Sequence, residues 1–179
     1  MSAPLAKHLL VDGYNIIHAW PELKKVLTQL GPEQARTQLV QILRVIHDTE
    51  NIRLTIVFDG NGSKIEIQHP SPDQTFSLLY SPAGVSADII IEQLASSRKK
   101  NQEIIVATHD NLIRDSVISS GGSVVSPESL EDWVNACQNR QNKNIMDHQK
   151  SSQKSWKQHS PWDALPSLNK KNSKDSTAQ

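Results

Sequence analysis

Apolar residues fall in short runs along the chain, and stretches with helical spacing separate them. Leu9-Leu10-Val11 is the first run, ending on Asp12-Gly13, and residues 7–12 read as a buried strand. Ile16, Ile17, Ala19 and Trp20 suit a short helix or tight connection over 14–20, stopped at Pro21. Residues 22–30 predict another helical turn or two before Gly31. Pro32 stands where a first-turn proline belongs, and Ala35, Leu39, Ile42, Leu43 and Ile46 recur with the period of an amphipathic helix over 33–49. A second strand follows at 52–58, and Gly60-Asn61-Gly62-Ser63 is a turn by composition. Ile65-Glu66-Ile67 alternates as a short strand, Pro70 and Pro72 mark a loop, and 76–80 is a further strand. Ser86 is placed to cap a helix over 87–97. Residues 103–108 make the next strand, and Asp110 caps a helix over 111–119 that Gly121-Gly122 closes. Val124-Val125 is a last short strand, and Ser126-Pro127-Glu128 opens a helix to about Asn139.

This alternation predicts an α/β fold, a three-layer α/β/α sandwich around a mainly parallel central sheet. One domain is expected over 1–139. From residue 140 the composition turns to Gln, Asn, Lys and Ser, so 140–179 is expected to be a polar, basic, disordered tail, with Trp156, Trp162, Leu165 and Leu168 as its docking points. The net charge of zero hides this division. The tail carries eight Lys or Arg against three Asp, and the first 139 residues hold a matching surplus of five acids. Cys137 is the single cysteine, which excludes an intrachain disulfide and a cysteine-based zinc site; on a late helix it reads as a small, partly buried residue. No run has the length of a membrane span, and the first residues lack the pattern of a secretion signal. A cytoplasmic protein with no membrane partner is expected. No phosphate-cradling glycine loop and no serine nucleophile elbow appears, so no nucleotide cofactor is expected.

Candidate chemistry sits where the strands end. Three of them lead into Asp: Asp12, Asp59, and Asp110 through Thr108 and His109. In an open α/β sheet the binding crevice lies beyond the carboxyl ends of the strands, where these three acids would meet. Asp88 joins them if its helix starts at the same edge, and Glu92, four residues on, shares its helix face. Each has an ordinary reading taken alone: a strand-end Asp is a cap or turn residue, and Asp88 with Glu92 is a solvated helix face. Together, so many carboxylates in one crevice need cations or retained protons. Oxygen-only ligands point to Mg²⁺ or Mn²⁺, and such a site suits metal-assisted phosphodiester hydrolysis. Asn15 and Thr108 are then groups that hold carboxylate rotamers by hydrogen bonds. Lys24, Lys25, Lys64 and Arg114 are candidates to neutralise a nucleic-acid backbone. His18 and His109 read as structural or exposed, and Trp20 as core. The basic tail is solvated chain or an arm that holds RNA.

The opening Val11-Asp12-Gly13-Tyr14-Asn15-Ile16-Ile17, followed by Ala19-Trp20-Pro21-Glu22-Leu23, resembles that of the YacP-like NYN-domain proteins, a bacterial branch of the PIN-like nucleases. Val57-Phe58-Asp59-Gly60, Ser86-Ala87-Asp88 with Glu92, and Ala107-Thr108-His109-Asp110 fall where that family has its next motifs. The resemblance spans about residues 8–131 and leaves out the tail after Arg140. It implies a PIN-like fold and a divalent-metal endoribonuclease, with members acting on messenger RNA at the ribosome. It also implies that Asp12, Asp59, Asp88 and Asp110 are the acidic metal-site positions and Asn15 the amide of the opening motif; we expect Asp12, Asp88 and Asp110 to bind the metal, with Asp59 as a further ligand or substrate-side acid. Two positions depart from the family pattern. Val85 stands where a Glu usually follows the motif glycine, here Gly84, which removes a charge near the metal; His109 stands where Ser usually precedes the last Asp. The alternative reading is a catalytically weakened RNA- or ribosome-binding protein of the same fold.

Overall fold

The computed structural model describes residues 6–97, 99 and 101–158. Its first strand, β1 (Ala6–Asp12), runs into α1 (Gly13–Ala19), α2 (Pro21–Leu30) and α3 (Pro32–Glu50). The chain returns through β2 (Arg53–Gly62), a short β3 (Glu66–Gln68) and β4 (Phe76–Pro82), then α4 (Ala87–Ser96). It continues through β5 (Gln102–Ala107), α5 (Asn111–Ser119), β6 (Ser123–Val125) and α6 (Pro127–Gln158). Among the described residues the strands form one six-stranded sheet in the order β3-β4-β2-β1-β5-β6. Every pairing is parallel except β3 with β4. The order reverses beside β1, which pairs with β2 on one side and β5 on the other. That is the topological switch point, where the crevice of an open α/β sheet opens.

Alternate side chains of each strand serve opposite faces. Leu9, Val11, Leu54, Ile56 and Phe58 pack with Ile17, Leu23, Leu39, Leu43 and Leu130 from α1, α2, α3 and α6. Leu10, Val57, Leu79, Ile104 and Val106 pack with Ile90, Ile91, Ile113 and Val117 from α4 and α5. The result is the expected three-layer sandwich. Trp20 belongs to the first cluster, and its Nε1 donates to the Pro127 carbonyl at 3.0 Å, tying α1 to the start of α6. Cys137 is fully buried in the same cluster, and burial pushes its thiol up, away from the reactive thiolate.

Three local expectations need correction. The turn predicted at 60–63 is the far end of β2, which continues to Gly62 with a shift of register against β4. Gly60 permits this, since a Cβ there would fall 2.3 Å from the Ser81 carbonyl oxygen. Ser86 occupies the N-cap position of α4, but its side chain makes no capping bond; the cap comes from Asp59. Finally, α6 does not stop near Asn139. It runs to Gln158, because no Gly or Pro interrupts the chain between Glu128 and Ser160, and polar Gln and Lys are good helix formers. Residues 140–158, the first part of the polar segment, lie in that helix.

The chain separates into two units, Met1–Arg140 and Gln141–Gln179. In the described part of the second, Ile145 and Met146 are exposed. Trp162, Leu165 and Leu168 lie outside the described residues. Among the described residues no helix is long and apolar enough to cross a membrane.

Candidate active site

β1 ends on Asp12, whose carboxylate turns back to cap α1, accepting the Asn15 backbone N–H at 3.3 Å. Asp12 is buried, with 6% of its surface exposed. Burial in turn pushes its carboxyl up to about 7; the Asn15 hydrogen bond opposes this, and the charges of Asp88, Asp59 and Asp110 add to it. Asp88, half-buried in the first turn of α4, is raised by burial and then by Asp110, Asp59 and Glu92. Asp110 caps α5, accepting the Leu112 N–H at 2.7 Å. Asp59, at the rim of β2, accepts the Ala87 N–H at 2.8 Å. The four acids drawn from β1, β2, α4 and the end of β5 thus act on one another, and Glu92 joins through Asp88.

The charges acting most strongly on Asp12 and Asp88 are all carboxylates. Lys24 and Lys25 lie exposed on α2, Lys64 exposed beyond β2, and Arg114 exposed on α5. None of the four is among the charges that shift Asp12 or Asp88. Among the described residues no three His, Cys, Asp or Glu side chains are arranged as a ready-made metal cage.

Asn15 and Thr108 do not grip carboxylate oxygens, as the sequence suggested. Asn15 Oδ1 accepts the His109 backbone N–H at 2.7 Å, and Thr108 Oγ1 accepts the Asp110 backbone N–H at 3.0 Å. Both fix the loop that delivers Asp110, so they position the acid through its backbone. His18 and His109 are exposed. Val85 packs its side chain against the apolar cluster under α4 and α5.

A model of the YacP-like NYN domain matches residues 9–171. The chain belongs to the YacP-like NYN-domain family. The match passes residue 131, where the likeness read from the motifs stopped, and takes in most of the basic segment. The YacP protein of Bacillus subtilis (strain 168) is 30% identical over 123 residues, 68% of this chain and 71% of that one. The crystal structure of Rae1 (YacP) from Bacillus subtilis superposes with a TM-score of 0.67 at 26% identity, covering 83% of this chain and 84% of that one. A point mutant of it gives the same score and identity, with 80% of this chain covered. Membership of the YacP-like NYN family places the chain in the PIN-like nuclease superfamily, and its three layers around a mostly parallel sheet match the YacP crystal structure.

One group at this edge carries no sequence signal. Arg36, on α3, donates from Nη1 to the Tyr14 hydroxyl at 2.7 Å. Its guanidinium carbon lies 6.0 Å from the Phe58 ring centre and 5.8 Å from that of Tyr80. Tyr14 meets Phe58 edge-on, and Phe58 stacks on Tyr80. On a helix read only for its apolar stripe, Arg36 looks like any solvent-facing cation.

Proposed function

We propose that the protein is a divalent-metal-dependent endoribonuclease that hydrolyses RNA phosphodiester bonds. The observation that carries the proposal is the cluster of Asp12, Asp59, Asp88 and Asp110 at the switch point, with Asp12 pushed to about 7 and only carboxylate charges named among those acting on Asp12 and Asp88. The donor set suits Mg²⁺ or Mn²⁺: all oxygen, mutually repelling, and drawn from separate elements. Asp12, Asp88 and Asp110 would hold the ion, which supplies a charge sink for the phosphate and acidifies a water. Asp59 has one oxygen committed to Ala87 and one free for the ion or for a substrate-side role. Asn15 and Thr108 keep Asp110 in place through the backbone bonds described above. Hydrolysis adds the elements of water across the P–O bond, and the leaving oxygen takes up a proton.

The substrate we infer is single-stranded RNA, including messenger RNA on ribosomes, and the location the cytoplasm. We assign cleavage to residues 1–139 and the role of a basic arm to 140–179. A labelled single-stranded RNA incubated with pure protein and Mn²⁺ tests the core of this. Cleavage should require the ion and vanish in Asp12→Asn without unfolding; full activity in that variant sinks the assignment. Parallel incubation with single-stranded DNA decides between RNA and DNA, and comparing free with ribosome-bound transcripts tests the ribosomal setting.

A second reading has one observation in its favour. Val85 spends its side chain on packing, so the charge usual at that position is missing from the pocket. A catalytically weakened RNA- or ribosome-binding protein would then result. Calorimetric titration with Mn²⁺ separates the two, because a decayed site takes up metal poorly.

A further inference from the structure

We infer that Arg36 is the phosphate-binding residue of an RNA subsite in the groove between α3 and the β3–β4 edge of the sheet. The inference rests on the ribonuclease reading and adds to it a residue and the part of the substrate it contacts. The groove encloses about 480 Å³, and Arg36, Thr37, Gln68, His69, Leu78 and Tyr80 are among its walls.

Arg36 is held for binding and left without a counter-ion. The Tyr14 hydroxyl takes one of its N–H groups, and the rings of Phe58 and Tyr80 lie against the guanidinium. Among the described residues no carboxylate comes within ion-pair distance of it. A half-buried arginine that serves only the fold is ordinarily paired with an acid. With the Tyr14 and Tyr80 hydroxyls as its hydrogen-bond partners, this one still has donors to spare, in the planar fork that suits a phosphate.

The residues that hold it also reach the acidic edge. Tyr14 is two positions from Asp12, and Phe58 immediately precedes Asp59. Arg36 therefore stands on the α1–α3 side of the strands whose ends carry the acids. Glu33 and Glu66 also line the groove, and Glu66 is engaged by Gln68 at 2.6 Å. The groove is thus no general basic channel. It repels a run of phosphates and accepts one, at Arg36.

Fluorescence anisotropy with a labelled single-stranded RNA 12-mer in EDTA tests this without cleavage. Arg36→Ala should bind roughly tenfold more weakly. Its salt dependence should flatten by about 0.7 in log–log slope, the share of one phosphate on a single strand. Arg36→Lys should restore that slope and only part of the affinity, since an ammonium lacks the fork. Tyr14→Phe, which frees the guanidinium, should fall between. Thermal melting identifies any variant that fails to fold, and Arg36→Lys then carries the comparison alone. Under cleavage conditions KM should rise with kcat held. Wild-type affinity in both Arg36 variants, weaker binding with an unchanged salt slope, or no RNA binding by the wild type overturns the inference. Intact cleavage with an unmoved KM overturns it while the nuclease reading stands. Binding that depends on Arg36 in a protein that cleaves nothing has the opposite meaning.

Discussion

Asp59 and Ala87 are joined across the sheet edge: the Asp59 carboxylate, within β2, accepts the backbone N–H that opens α4, at 2.8 Å. The next residue of α4 is Asp88. One acid of the cluster therefore sets the position of another, and a residue that reads as a metal ligand is also a helix cap contributed by a distant element.

Replacing that cap has a defined cost. Asp59→Ala should lose about 1 kcal/mol of stability, the ordinary value of an N-cap, and reduce cleavage further by loosening Asp88. Asp59→Asn keeps an acceptor oxygen and should restore most of the stability but not the activity. Urea denaturation beside a cleavage assay checks both. Equal stability for Asp59→Ala and wild type would show the bond to be idle.

Asp12 should trade stability for function. The folded chain holds its carboxyl proton up to about pH 7, whereas an unfolded chain releases it near 3.8. Its contribution is thus most favourable below 3.8 and is lost as pH rises through 7, on the order of 4 kcal/mol in all. Asp12→Asn keeps the cap on α1 and removes the buried charge. Without divalent ions it should melt several degrees above wild type at pH 8, with the difference closing by pH 5. A gap that ignores pH contradicts the burial argument.

Divalent ions should reverse that penalty. Mn²⁺ at a hundredfold excess over its dissociation constant should add about 2.7 kcal/mol to wild-type stability, and EDTA should remove it. Uptake near pH 6.5 should release protons, because the ion displaces the one on Asp12. Differential scanning calorimetry and titration in buffers of different ionisation enthalpy measure these effects. Asp12→Asn should show neither.

Asn15→Ala removes the acceptor of the His109 N–H and frees the loop before Asp110. Cleavage should fall by one to two orders of magnitude, with a stability loss of about 1 kcal/mol. Asn15→Asp keeps the acceptor but adds a charge beside Asp12. It should therefore lower the Mn²⁺ concentration needed for half-maximal rate. An unchanged requirement would place Asn15 outside the electrostatics of the site.

At the other end of β1, His8 gives the protein an acid-sensitive point. Gln102 Nε2 donates to His8 Nδ1 at 3.2 Å, so the proton of the neutral ring lies on Nε2 and faces Thr55 Oγ1 at 2.9 Å. Burial, and then the charge of Arg53, lowers the ring to about 4. The unfolded chain takes up this proton below about 6.5, and the folded chain resists until about 4. Stability is thus full above 6.5 and should fall across that window by about 3 kcal/mol. His8→Gln should flatten the decline in urea titrations between pH 7 and 4.5.

Asp12, Asp59 and Asp110 were legible as neighbours because each follows an apolar run, and a parallel sheet gathers such ends at one edge. The mainly parallel sheet follows from the same alternation of strands and helices. Arg36 was not legible. Its partners Tyr14, Phe58 and Tyr80 come from three elements, and only the folded sheet sets them around one guanidinium. The cap on α4 was misread for a like reason: Ser86 is the local candidate, and a residue 28 positions away takes the role. The long α6 escaped because polarity was read as disorder, although an uninterrupted run of helix formers continues a helix that packing has already nucleated.

A Cβ on Gly13 would stand 2.2 Å from the Phe58 ring, which cannot give way between Tyr14 and Tyr80. Random mutagenesis scored for lost cleavage should therefore recover Gly13 as readily as Asp12. The two kinds of allele would part on a gel of soluble lysate: Asp12 substitutions leave abundant protein, and those at Gly13 leave little.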